Sequence, residues 1–149
     1  MTRPIEFRLI KDGKIVGYER HVLNKQCGES RPNVVCIEHS RDGKEWWCIW
    51  FSKDYFIDHD NKEQFTGLLD KNGVKVFEGD IVYYSIVCYS LDGTEAEHSI
   101  HVIEDFGIDC RARLVKKTGI HWPPQHLSHL PMNCCNVIGN IHQNPELLK

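Results

Sequence analysis

Four Asp-Gly or Asn-Gly dipeptides punctuate the chain, at Asp12-Gly13, Asp42-Gly43, Asn72-Gly73 and Asp92-Gly93. Such pairs tolerate the positive φ values that tight hairpin turns demand. They separate short runs with a period of two, so the chain reads as antiparallel strands with little helix. Ile5, Phe7 and Leu9 alternate with Glu6 and Arg8, and Ile15, Val16 and Tyr18 follow the first turn, which predicts a hairpin. A second hairpin is predicted from Val34-Val35-Cys36-Ile37, the turn Ser40-Arg41-Asp42-Gly43, and Trp46-Trp47-Cys48-Ile49-Trp50-Phe51. The polar stretch Ser52 to Glu63 reads as a loop or one short helix.

Further along, Lys71-Asn72-Gly73 predicts a type I′ turn, and Glu78-Gly79-Asp80 a turn that feeds the β-prone run Ile81 to Tyr89. Leu91 to Thr94 reverses the chain into Ile100, Val102 and Ile103, and Leu114-Val115 marks another strand. Thr118 to Met132 holds three of the six prolines and reads as a long irregular excursion. A strand around Val137-Ile138 precedes a short helical signal, with Asn144 as cap, Pro145 in the first helical position and Glu146 favouring the dipole. The expected fold is mainly β, a β-rich α+β class, with roughly six to eight short strands. It forms one domain over 1–149, with a hairpin-rich region at 1–63 and a small barrel at 64–149.

Charge narrows the function. Eighteen basic against twenty-one acidic residues give a net charge of −3, which argues against a generic polyanion binder. No apolar run is long enough for a signal peptide or a membrane span, so a cytoplasmic protein without a membrane partner is expected. Its seven cysteines are an odd number and cannot all pair within one chain, so reduced structural thiols are expected.

Candidate chemistry is sparse. His121, His126 and His129 with Cys134-Cys135 offer zinc-compatible ligand types, but no Cys-x-x-Cys accompanies them and adjacent cysteines share one metal poorly. His98 and His101, three apart on a strand, point to opposite faces. Asp58-His59-Asp60-Asn61 resembles the start of a calcium loop, but Glu63 stands where that loop needs glycine. Cys36, Cys48 and Cys88 lie in apolar runs that favour inert thiols, and no Gly-x-Ser-x-Gly elbow occurs. No catalytic residue, metal site or cofactor is therefore assigned, and the chain is not expected to be an enzyme.

The strongest anomaly is aromatic: Trp46, Trp47, Trp50, Phe51, Tyr55 and Phe56. On a strand, Trp46 and Trp50 face one side while Trp47, Ile49 and Phe51 face the other. One face is then core and the other an interface, or both are buried, or the rings form a base-stacking platform. Trp46, Trp47, Trp50 and Tyr55 are the candidate interaction surface.

Three segments together resemble the YopX family: Ile5-Glu6-Phe7-Arg8, then Gln64 to Val82 (QFTGLLDKNGVKVFEGDIV), then Asn136 to Leu148 (NVIGNIHQNPELL). The resemblance covers both ends of the chain. It implies a mostly β fold with a small SH3-like barrel, encoded by phages or prophages and acting in the bacterial host cytoplasm; it implies no activity. Within those segments Gly67, Asn72, Gly73, Gly79 and Gly139 suit turns or close backbone approach, while Asp80 and Asn144 suit side-chain-to-backbone bonds. The signature specifies a shape. The expected function is a non-catalytic accessory protein that binds a phage or host protein or self-associates. The alternatives are a nucleic-acid-associated SH3-like protein, with Arg111, Arg113, Lys116 and Lys117 as its basic patch, and a small zinc-binding protein.

Overall fold

At the first predicted turn, Asp12 and Gly13 both take positive φ, 50° and 72°, as a two-residue I′ hairpin requires. They join β1 (Glu6–Lys11) to β2 (Lys14–Leu23) in antiparallel register. The computed structural model describes residues 5–23, 35–90, 93–104, 111–118 and 134–149. Eight further strands follow: β3 (Val35–Ser40), β4 (Trp47–Cys48), β5 (Asn61–Leu69), β6 (Lys75–Phe77), β7 (Asp80–Ser90), β8 (Gly93–Glu104), β9 (Arg111–Thr118) and β10 (Cys135–Asn140). They form two sheets, β4-β3-β2-β1-β5-β6 and β10-β7-β8-β9. No α-helix occurs among the described residues, so the class is mainly β. Among the described residues the second sheet is open, with β10 and β9 at its edges, and does not close into a barrel.

Two compact units divide the chain, Met1–Phe65 and Thr66–Lys149, and β5 runs through the division. In the first unit Leu9, Ile10, Cys36, Cys48, Ile57 and Phe65 are buried. In the second, Val76, Val82, Tyr84, Ile103, Ala112 and Cys135 pack as one cluster.

Several expectations are corrected. Trp46 to Phe51 is not a strand: β4 ends at Cys48, and Phe51 N–H turns back to the Cys48 carbonyl at 3.2 Å. Of the stretch Ser52 to Glu63, read as a loop or one short helix, Lys53–Tyr55 forms a short 3-10 helix, but Asn61, Lys62 and Glu63 open β5, where Arg8 pairs with Glu63 and Lys62 with Glu19. The Asn72-Gly73 turn is not type I′. Only Gly73 has positive φ (78°), and Gly73 N–H bonds the Asp70 carbonyl while the Asp70 carboxylate takes Asn72 N–H at 2.8 Å and Val74 N–H at 2.9 Å. Pro145–Leu148 is a 3-10 turn that Asn144 does not cap; its Oδ1 instead accepts Asn140 N–H at 3.3 Å. Cys36 is disulfide-bonded, against the expectation of reduced thiols, because pairing depends on contacts that sequence spacing does not reveal. Cys48, Cys134 and Cys135 keep their thiols, and burial, with Cys134 and Asp70 nearby, pushes the Cys135 thiol up to about 11.

His98 and His101 take opposite faces of β8 as the spacing predicts: His98 stacks on Tyr83, whereas His101 is buried. The His101 Nε2 lies 2.8 Å from Ser99 Oγ, and its Nδ1 has no hydrogen-bond partner among the described residues. A neutral ring that donates from Nε2 leaves only a bare lone pair, the least costly state for such an atom. Burial holds the His101 pKa at about 4, below its usual 6.5. A depressed folded-state value means stability that is present above pH 6.5 and lost as pH falls toward 4. Urea unfolding at stepped pH is expected to show that decline in the wild type and a flatter profile in His101→Gln, which keeps a donor for Ser99.

Candidate functional site

The first sheet sorts its residues by the two-residue alternation of strands. Phe7 pairs with Glu19, Glu19 with His39, Leu9 with Lys62, and His39 with Trp47. Phe7, Leu9, Gly17, Glu19, His21, His39, Trp47 and Lys62 therefore share one face. Arg8, Arg20, Glu38 and Glu63 share the other, where Arg8 pairs with Glu63 and Arg20 with Glu38.

Glu19 is the centre of the first face. Its buried carboxylate accepts His21 Nε2 at 2.7 Å, His39 Nε2 at 2.9 Å, and Lys62 Nζ at 2.8 and 3.0 Å. Burial alone would raise its pKa; the hydrogen bonds from His39, Lys62 and His21 outweigh that and hold it at about 2. The second nitrogen of His39 is also occupied, since Nδ1 accepts the Ile57 N–H at 3.0 Å. That bond fixes the tautomer: Nε2 carries the proton and donates it to Glu19.

Through this bond the sheet holds the segment that crosses it. Ser52 accepts the Asp54 N–H at 3.2 Å and starts a 3-10 turn at Lys53–Tyr55. Phe56 and His59 then pack against the His39 ring, and Ile57 lies over Gly17. A Cβ at Gly17 would meet Ile57 Cδ1 at 2.6 Å and the Ser40 carbonyl oxygen at 2.7 Å, so only glycine admits the segment this closely. The would-be calcium loop serves the same closure, with Asp58 paired to Lys11 and Asp60 accepting Asp12 N–H at 3.0 Å.

Between this segment and the β3–β4 loop lies a cavity of about 230 Å³. Trp47 and Tyr55 stack along it with centroids 5.1 Å apart and ring planes 15° from parallel. The loop is shaped by Asp42, whose carboxylate accepts Lys44 N–H at 2.8 Å, Glu45 N–H at 3.0 Å and Ser40 Oγ–H at 3.1 Å. These bonds lower the Asp42 pKa, the Lys44 amide foremost.

The four candidate interaction residues thus divide. Trp47 and Tyr55 stack together at the cavity. Trp46 is half-buried beneath Arg20, whose guanidinium carbon lies 4.4 Å from its ring centroid. Trp50 stands on the turn after β4. Trp47, Trp50, Phe51 and Phe56 are 51%, 54%, 63% and 47% exposed. Among the alternative sites, Cys134 is half-buried and Cys135 buried, while His121, His126 and His129 lie outside the described residues. Arg113 is tied to Glu104 at 2.5 Å; the side chains of Arg111, Lys116 and Lys117 lie outside the described residues.

A family model described as YopX protein matches residues 11–149. The chain belongs to the YopX family. The match includes the second and third resemblance segments and begins after Ile5-Glu6-Phe7-Arg8. A crystal structure of protein EF1440 from Enterococcus faecalis is similar at 23% identity, covering 98% of this chain and 99% of that chain, with a TM-score of 0.48. No curated protein matches the chain.

In this YopX chain the two matched signature segments are turn-building machinery of the second unit. Besides its own turn, the Asp70 carboxylate accepts Val137 N–H of β10 at 3.0 Å, and Asp80 accepts Phe77 N–H at 2.8 Å. Gly79 takes φ 81° while its N–H bonds the Ile103 carbonyl and its own carbonyl accepts Ile141 N–H. A Cβ on Gly139 would collide with Asn144. The organising residues of the first unit, Glu19, His39 and Lys62, lie outside the resemblance segments. The one sequence signal for them was Glu19-Arg20-His21, three polar residues interrupting the alternation of β2.

Two outcomes follow for the YopX site. Glu19→Gln leaves Lys62 without its counter-charge and is expected to cost on the order of 2–3 kcal/mol at pH 7. Since the Glu19 value is depressed from 4.5 to about 2, wild-type stability should fall as pH drops through that window, and the variant profile should be flat there. Gly17→Ala is expected to destabilise by roughly 1–3 kcal/mol through overpacking against Ile57 and the Ser40 carbonyl. Urea unfolding followed by tryptophan fluorescence measures both.

Proposed function

We propose that this YopX protein is a non-catalytic accessory protein that binds a protein partner through the aromatic surface at residues 47–56. One observation carries the reading: four large aromatic side chains stay about half exposed or more within ten residues of chain. Exposed large apolar side chains concentrated in so short a stretch mark interaction sites, and Trp is enriched at the centres of interfaces. The underlying sheet is built to keep the segment in place, which lowers the ordering cost of association. A non-catalytic role is supported by His39, the histidine at the cavity, because both of its ring nitrogens are already engaged. A phage or prophage origin, action in the bacterial cytoplasm and an SH3-like character for residues 64–149 belong to the same proposal. Supporting that last part, the second unit carries consecutive antiparallel strands with tight Gly turns.

The test is affinity capture of the tagged full chain from infected or lysogenic cells, with nuclease treatment before elution. Wild type is expected to retain one stoichiometric protein, and Trp47→Ala/Trp50→Ala to lose it while keeping its melting behaviour. A partner kept by the double variant, or released by nuclease, contradicts the reading.

A further inference from the structure

Beside the aromatic surface, with Trp47 and Tyr55 in its wall, lies a cavity whose charges do not balance. Asp42, Glu45 and Asp54 bring three carboxylates to its lining against the single guanidinium of Arg41, an excess of two negative charges. Asp42 is engaged by backbone amides, whereas neither Glu45 nor Asp54 has a side-chain partner for its carboxylate among the described residues. His39 adds no charge in the tautomer fixed above. The stacked Trp47 and Tyr55 rings form part of the remaining wall, with Ser40 and Ile57.

We infer that this cavity takes the guanidinium of an arginine side chain presented by the protein partner; the inference rests on the protein-binding reading and names its chemistry. Three features fit together. The face of an aromatic ring attracts cations, and a planar, weakly hydrated guanidinium stacks on it better than an ammonium does. Carboxylates at the rim accept its N–H groups in charge-assisted bonds. The volume is below the roughly 300–1,000 Å³ of sites for drug-sized molecules and suits the end of one long side chain. The same chemistry already operates within the chain, where Arg20 lies over Trp46. Trp50, Phe51 and Phe56, outside the cavity lining, then supply the apolar contact around the anchored arginine.

The probe is the peptide acetyl-Gly-Ser-Arg-Ser-Gly-amide, compared with its citrulline counterpart, which keeps the shape and removes the charge. The readout is the Trp47 indole N–H signal of the ¹⁵N-labelled full chain, identified by its loss in Trp47→Phe. The arginine peptide is expected to shift that signal saturably with a Kd on the order of 1 mM, and the citrulline peptide at least about fivefold more weakly. Glu45→Gln/Asp54→Asn is expected to weaken arginine binding at least about fivefold, while Arg41→Gln strengthens it roughly twofold by removing a like charge. Equal responses to the two peptides, no saturable response, or the same affinity in all charge variants overturns the inference. If those results occur while Trp47→Ala/Trp50→Ala still abolishes capture of the partner, the docking surface stands and the arginine assignment fails. If the tryptophan variant keeps its partner, the reading beneath it fails as well.

Discussion

A carboxylate buried in a β-sheet is tolerable only if donors surround it, and Glu19 draws its donors from three strands. His21 lies two residues along β2, His39 directly across on β3, and Lys62 on β5 beyond β1. An unpaired anion there would cost several kcal/mol, so these partners are obligatory once the strand register is set. The charge thereby ties together strands whose apolar pattern alone is weak. Lys62 also lies 5.5 Å from the Phe7 ring centroid, so the cation is shared between an ion pair and an aromatic face.

From that anchor the placement of the aromatic segment follows. Because Glu19 takes the proton-bearing nitrogen of His39, the other nitrogen is left to receive Ile57 N–H. Ile57 settles over the bare backbone of Gly17, while before it Phe56 lies half exposed against the His39 ring and Tyr55 stacks on Trp47. A mobile aromatic loop would lose much of its contact energy to ordering on binding; a loop pinned by a buried hydrogen bond loses less. In the second unit the same device works at shorter range, where Asp70 and Asp80 hold backbone amides of their own turns and Asp70 reaches β10 as well. The second and third YopX resemblance segments record that second device.

The strand plan was largely legible because hairpins are local. Asp12-Gly13 and the alternation of Ile5, Phe7 and Leu9 define β1 and β2 without reference to anything distant, and Ile81 to Tyr89 likewise mark β7. What was not legible depends on partners far away in sequence. Asn61 to Glu63 look like loop or helix until Arg8 and Glu19 are placed beside them from 55 and 43 positions away. The tryptophan run looked like a strand, yet β4 stops after two residues and Trp50 and Phe51 turn out to solvent. Asn72-Gly73 carried the signal of a I′ turn, but a preceding aspartate captured the amides and selected another geometry. The aromatic candidates were visible as composition; the carboxylates beside them and the histidine beneath them became a site only through the register of β2, β3 and β4.

The central claim is that the Glu19–His39–Ile57 relay fixes the aromatic segment on the sheet, and ring nitrogen NMR of His39 in the wild-type chain at neutral pH tests it most directly. The account predicts a protonated Nε2, an unprotonated Nδ1, and a scalar coupling between Nδ1 and the Ile57 amide across the hydrogen bond. A proton on Nδ1, or a ring without coupling to Ile57, would contradict it.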